Sequence, residues 1–180
     1  AVEGLDIEGQ QNASAIVSFA GVAMPWPDPL AAYYTINGSA LGGGILVPIL
    51  SAVVPDSVVE KAVNDTFTPN TAPDGFVAHL GAELVMRPDS FRANVRQVNT
   101  LQNEVIKLAP RYPELTIPIE ILHGTDDVTV PIHIHANEIA KIVPSVHVTP
   151  LEGVGHQPHH VDVDAAIAAI DRAAGRAGLR

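Results

Sequence analysis

Apolar and polar positions alternate between two periods along this chain, and the change of period sets out its elements. Ala13 to Ala20 (ASAIVSFA) is a short apolar run of strand length, ended by Gly21. A second run, Ile117 to His123 (IPIEILH), and a third, Val146 to Leu151 (VHVTPL), have the same character. Between the second and third, His133 to Ile142 carries a helical pattern. Strand, helix and strand in that order predict a crossover unit with parallel strands. Each strand is followed by polar residues: Gly124-Thr-Asp-Asp127 after the second, and Glu152-Gly-Val-Gly-His156 after the third. Ligands in open α/β sheets bind outside the carboxyl ends of the strands, so these two loops form the candidate site.

The stretch between the first two strands has a different rhythm. Met24-Pro-Trp-Pro-Asp-Pro29 stops regular structure, because proline fixes φ and removes a donor. Ala32 to Ile36 is a possible strand, Asn37-Gly38-Ser39 a turn signal, and Ala40 to Val54 an apolar helix. Asp56 or Ser57 caps a short helix through Asn64, and 66 to 75 is a loop. Phe76 to Val85 is helical in pattern. Pro88-Asp-Ser90 opens a longer helix to Leu108, with Val95, Val98, Leu101, Val105 and Leu108 on one face. The chain ends in an Ala-rich helix, Val163 to Ala177, and begins with a polar stretch to Asn12. The expected fold is α/β: a partial parallel sheet from 1–29 and 109–180, with a helical insertion, or lid, at 30–108.

Composition narrows the function. At 180 residues and 47% hydrophobic, the chain is expected to fold as one soluble domain. A net charge of −10, from 20 acidic and 10 basic residues, argues against a nucleic-acid partner, since phosphate contacts need a basic face. There is no cysteine, hence no disulfide and no thiolate chemistry, which fits a cytoplasmic setting. Ala1 to Gln10 lacks the apolar run of a signal peptide, and no apolar stretch reaches membrane-spanning length.

Asp127 and His156 lie 29 residues apart. On adjacent strand ends, an acid can fix the tautomer of a histidine that acts as a base. The bland reading of the same spacing is a turn-capping aspartate and an exposed loop histidine.

The local words favour the first reading. Leu122-His-Gly-Thr-Asp-Asp127 resembles the acid segment of the α/β-hydrolase family, and Gly153-Val-Gly-His156 its histidine segment. Phe19-Ala-Gly-Val-Ala-Met-Pro-Trp26 looks like the segment that leaves the sixth core strand for the lid. The resemblance implies a carboxylic-ester hydrolase, with Asp127 as the catalytic acid and His156 as the catalytic histidine. It also implies a small apolar ester-like substrate and no cofactor.

The family's nucleophile elbow, Gly-x-Ser-x-Gly, does not occur in these 180 residues. The resemblance is therefore to the C-terminal half of such an enzyme, and a complementary chain or a homo-oligomer is expected. Ser39, in Asn37-Gly-Ser-Ala-Leu-Gly-Gly43, precedes Asp127 and His156 in the family order and is a possible nucleophile, although its glycines are misplaced. Otherwise Ser39 caps a helix.

Two other readings remain. One is a hydrolase-derived protein that binds or assembles without catalysis. The other is a metal-binding protein using His133, His135, His156, His159 and His160, with Asp162 and Asp164 close by.

Overall fold

The computed structural model describes residues 13–27, 54–81, 84 and 86–180. Three strands form one parallel sheet in the order β1 (Ile16–Phe19), β2 (Ile119–Gly124), β3 (Val146–Leu151). Ile119 is the common register point, opposite Ile16 on one side and Val146 on the other. The central strand β2 is buried at all of its positions. A near-continuous apolar run is what a parallel strand covered on both faces requires. Its two polar members, Glu120 and His123, are buried too and must find partners. In β3, His147 and Pro150 are exposed, and proline is tolerated where its missing N–H breaks no ladder.

The helix α4 (Ala136–Ile142) makes the crossover between β2 and β3. Ala136, Ile139 and Val143 pack with Ile119, Ile121, Tyr112 and Leu115 in the main core. The last helix, α6 (Val163–Arg176), packs on β2 and β1 through Ala166, Ala169 and Ala173. Alanine at those steps lets the helix lie close to the strands. Glu120 is reached from this helix: Arg172 Nε donates to one carboxylate oxygen at 3.0 Å and Arg176 Nη1 to the other at 2.6 Å. His147 Nδ1 stands 2.9 Å from the same group. Burial pushes the Glu120 carboxyl up, but hydrogen bonds from Arg176, His147 and Arg172 outweigh it and hold it below the usual range.

Between β1 and the 3₁₀ turn at Ala109–Glu114 come α1 (Asp56–Asp65), α2 (Phe76–Leu80) and α3 (Pro88–Leu108); α5 (Pro158–Val161) lies between β3 and α6. The described residues fall into two compact units. One draws on Ala1–Pro25, Thr66–Ala72 and Val105–Arg180 and holds the sheet; the other draws on Trp26–Asp65 and Pro73–Glu104. Phe91 and Val95 form a small buried cluster in the second. Within the first, Phe67 is fully buried.

Several element limits differ from expectation, each for a local reason. β2 starts at Ile119, not Ile117, because Pro118 offers only its carbonyl, which accepts from Ile16 N. Pro131 opens a turn whose carbonyl accepts from Ile134 N and His135 N, so α4 begins at Ala136, not His133. Gly81, at φ 63°, terminates α2 before Val85. β1 ends where Ala20 takes φ 50°, a left-handed conformation that costs a non-glycine residue about 1 kcal/mol or more. The possible strand at 32–36, the helix at 40–54 and Ser39 lie outside the described residues.

Candidate functional site

The loops after β2 and β3 are laced together. Thr125 N donates to Leu151 O, Asp126 N to Val154 O, and Gly153 N to Thr125 Oγ1 at 3.0 Å. The approach is so close that a Cβ on Gly124 would stand 2.1 Å from the carbonyl oxygen of Val154. From the other side, Asn70 holds the histidine loop. Its Oδ1 accepts from Gly155 N at 3.0 Å and its Nδ2 donates to Gly153 O at 3.1 Å. A Cβ on Gly155 would meet Thr68 O at 2.1 Å, so glycine is required there as well.

This lacing brings Asp127 and His156 together. His156 Nδ1 is 2.9 Å from Asp127 Oδ2. The Asp127 side chain is fully buried, whereas the His156 ring retains 23% exposure, so the pair is open to solvent from the histidine side only. Asp127 Oδ1 accepts from the amides of Thr129 and Val130, at 2.9 and 2.8 Å. Burial alone would raise the Asp127 carboxyl. Hydrogen bonds from His123, His156 and Val130 reverse this, and its pKa is driven far below the ordinary carboxylate range. The acid is a fixed anion. It accepts a hydrogen bond from Nδ1–H, leaving Nε2 as the nitrogen of His156 that can accept a proton.

A second histidine meets this loop. His123, fully buried on β2, lies 3.3 Å from Asp127 Oδ2 through Nε2. His135, at the start of α4, accepts through Nδ1 from Met24 N at 3.2 Å and Ala23 N at 3.4 Å. It thereby holds the segment that leaves β1. Burial, with His123 adding to it, lowers the His135 pKa to about 4.

His159 and His160 are used for packing. His159 stacks on Phe19 with ring centroids 5.0 Å apart, and lies 4.2 Å from His160, which faces Phe67 at 6.2 Å. Burial, followed by the neighbouring His160 and His156, lowers the His159 pKa. Among the described residues no group of three His, Cys, Asp or Glu side chains could hold a metal ion. Also among the described residues, no helix is long and apolar enough to cross a membrane. A groove of about 570 Å³ lies at the other end of the strands, lined by Glu120, His147, Arg172 and Arg176 among others. It is remote in register from the Asp127 and His156 loops.

Sequence reasoning named Asp127 and His156, and the structure brings them into hydrogen-bonding contact. It missed Asn70, whose partners lie more than eighty residues away with no local signal, gave no role to His123, and read His135 only as a candidate metal ligand. Burial of a histidine inside an apolar strand word, Ile-Glu-Ile-Leu-His, was the available sign for His123.

The sequence matches no protein-family model, and no curated protein matches it. Solved structures do. An α/β hydrolase fold protein from Burkholderia ambifaria superposes with a TM-score of 0.64 at 17% identity, over 91% of this chain and 59% of that one. A thermophilic esterase from Thermogutta terrifontis gives 0.60 at 16% identity, over 91% and 56%. The enol-lactonase from Burkholderia xenovorans gives 0.59 at 12%, over 96% and 61%. The chain thus spans about three fifths of the length of the solved chains it matches. At this identity the likeness is one of architecture, and with the parallel sheet and its crossover helices it identifies the fold as that of the α/β hydrolases.

Proposed function

We propose that this protein is an esterase-like hydrolase in which His156 is the general base and Asp127 the acid that orients it. The observation that carries the reading is the 2.9 Å contact between His156 Nδ1 and a fully buried, doubly anchored carboxylate. With Nδ1 bound to Asp127, Nε2 removes the proton of a serine hydroxyl as its oxygen attacks the ester carbonyl. The same nitrogen then gives that proton to the departing alcohol. Water, deprotonated by Nε2 in turn, attacks the acyl-enzyme; the acid leaves as the serine oxygen takes the proton back from Nε2. The serine is Ser39 or one supplied by another chain. Names such as esterase and enol-lactonase among the structural neighbours support an ester or lactone as the substrate class.

A second reading has its own observation. No Gly-x-Ser-x-Gly occurs in the 180 residues, so a hydrolase-derived binding protein without catalysis would keep this geometry unused. Hydrolysis of a short-chain p-nitrophenyl ester separates the two. Wild type is expected to exceed His156→Ala clearly. Equal rates would overturn catalysis by this chain on its own. Loss of activity in Ser39→Ala would assign the nucleophile, and retention would place it on another residue or chain.

Association is part of the proposal. Val163, Ile167 and Ile170 repeat along α6 and each remains about half exposed. Apolar residues at such steps favour a second copy or a complementary chain. Light scattering at micromolar concentration is expected to give a dimer or larger species. A monomer would contradict it.

A further inference from the structure

His123 has no task in the mechanism above, yet it is the most deeply buried polar group beside it. Its Nε2 lies 2.7 Å from the carbonyl oxygen of Val130. A carbonyl only accepts, so Nε2 carries the hydrogen. Nδ1 is buried and has no hydrogen-bond partner among the described residues. A lone pair is tolerated there better than a stranded N–H, which fixes the same tautomer. Nε2–H therefore points to Val130 O, and Asp127 Oδ2 lies 3.3 Å from the same nitrogen.

That oxygen is the one His156 uses. The two backbone amides secure only Oδ1. A carboxylate pinned at one oxygen can still pivot about it. A second donor on Oδ2 sets the plane of the group. Asp127 is fully buried, so water cannot stand in for a missing donor.

We propose that His123 is a positioning residue, whose Nε2–H ties Asp127 Oδ2 to the Val130 carbonyl and so aims the carboxylate at His156. This rests on Asp127 and His156 being the working pair, and adds a buried histidine behind them. The resulting array is histidine, aspartate, histidine, with both rings on one oxygen. The rear ring holds its hydrogen throughout, while the front ring is the one that exchanges protons with substrate.

The test is a ring-nitrogen NMR spectrum of the whole protein at low temperature, which needs no substrate. The His156 Nδ1 proton, shared with a carboxylate, is expected as a separate downfield resonance in wild type. It is expected to move upfield or vanish in His123→Leu. His123→Gln, whose side-chain amide nitrogen falls near the Nε2 position, is expected to restore it. Should His123→Leu not fold, His123→Asn replaces it, since its amide stops short of Oδ2. An unchanged downfield proton in the Leu or Asn variant, with backbone amide spectra of β2 and β3 intact, would overturn the role of His123. Absence of that proton in wild type would instead overturn the Asp127 and His156 pairing itself. A pH–rate profile for ester hydrolysis that alters in His123→Leu and recovers in His123→Gln would support the same conclusion, because a space-filling role would leave its shape unchanged.

Discussion

Asp127 accepts three hydrogen bonds, from two backbone amides and the His156 imidazole, and His123 Nε2 stands 3.3 Å from the same carboxylate. Such saturation keeps the carboxylate charged and immobile, which is what an orienting acid must be. Replacing it by asparagine presents an amide N–H to one of those donors and favours the wrong histidine tautomer. We expect Asp127→Asn to lower kcat for ester hydrolysis by roughly 10³–10⁴-fold with KM little changed, as steady-state kinetics will show. Asn70 acts from outside the pair. Asn70→Ala frees the backbone of Gly153 and Gly155 and is expected to cost about 1–2 kcal/mol in urea unfolding, with a smaller loss of rate. Asp127 and His156 were legible in sequence because each follows, within three residues, a glycine that the loop geometry demands, Gly124 and Gly155. Asn70 was not, because a side chain that clamps a distant loop leaves no periodic trace.

Elements here are set by where polar groups can be satisfied. β2 carries Glu120 and His123 in an otherwise apolar run, and each is matched by a partner from a neighbouring element. Glu120→Ala leaves Arg172 and Arg176 without their anion and loosens α6 from the sheet. The expected loss is about 2–4 kcal/mol by chemical denaturation, at the lower end because both arginines remain partly exposed. Gly124→Ala puts a methyl group against Val154 O and is expected to cost more than about 2 kcal/mol. Gly175→Ala, on α6 with open space around it, is expected to stabilise by about 0.5–1 kcal/mol. The opposite signs check whether close approach, not glycine content, governs these sites. Strand and helix identities were readable from period. Their ends were not, since they depend on Pro118, Pro131 and Gly81 acting through backbone hydrogen bonds.

At the scale of the molecule, pH reports on the buried groups together. His135 keeps a folded pKa of about 4. Above about pH 6.5, the ordinary value, it is neutral in both states and its contribution is intact. As pH falls from there to about 4 the unfolded chain takes up a proton that the folded chain refuses, and stability drops. At 1.36 kcal/mol per unit the loss is about 3 kcal/mol. Burial of His159 acts in the same sense. Asp127, whose folded pKa is depressed, adds stability that persists until pH falls below its ordinary value near 4, and is lost further down. Urea midpoints are therefore expected to decline from pH 6.5 downward, and His135→Asn to flatten the part between 6.5 and 4. The α/β class and the crossover from β2 to β3 were visible in the sequence because strand and helix periods alternate there. The place of Thr66–Ala72 beside the sheet was not, because it arises from contacts far apart in the chain.

In the proposed reaction His156, oriented by Asp127, activates a serine. The most direct test is covalent labelling of the purified protein with a fluorophosphonate, read by peptide mass spectrometry. One serine is expected to take up the label, and His156→Ala is expected to abolish the reaction. Uptake by no serine would contradict a nucleophile within this chain, and labelling of His156→Ala at the wild-type rate would contradict the role of His156.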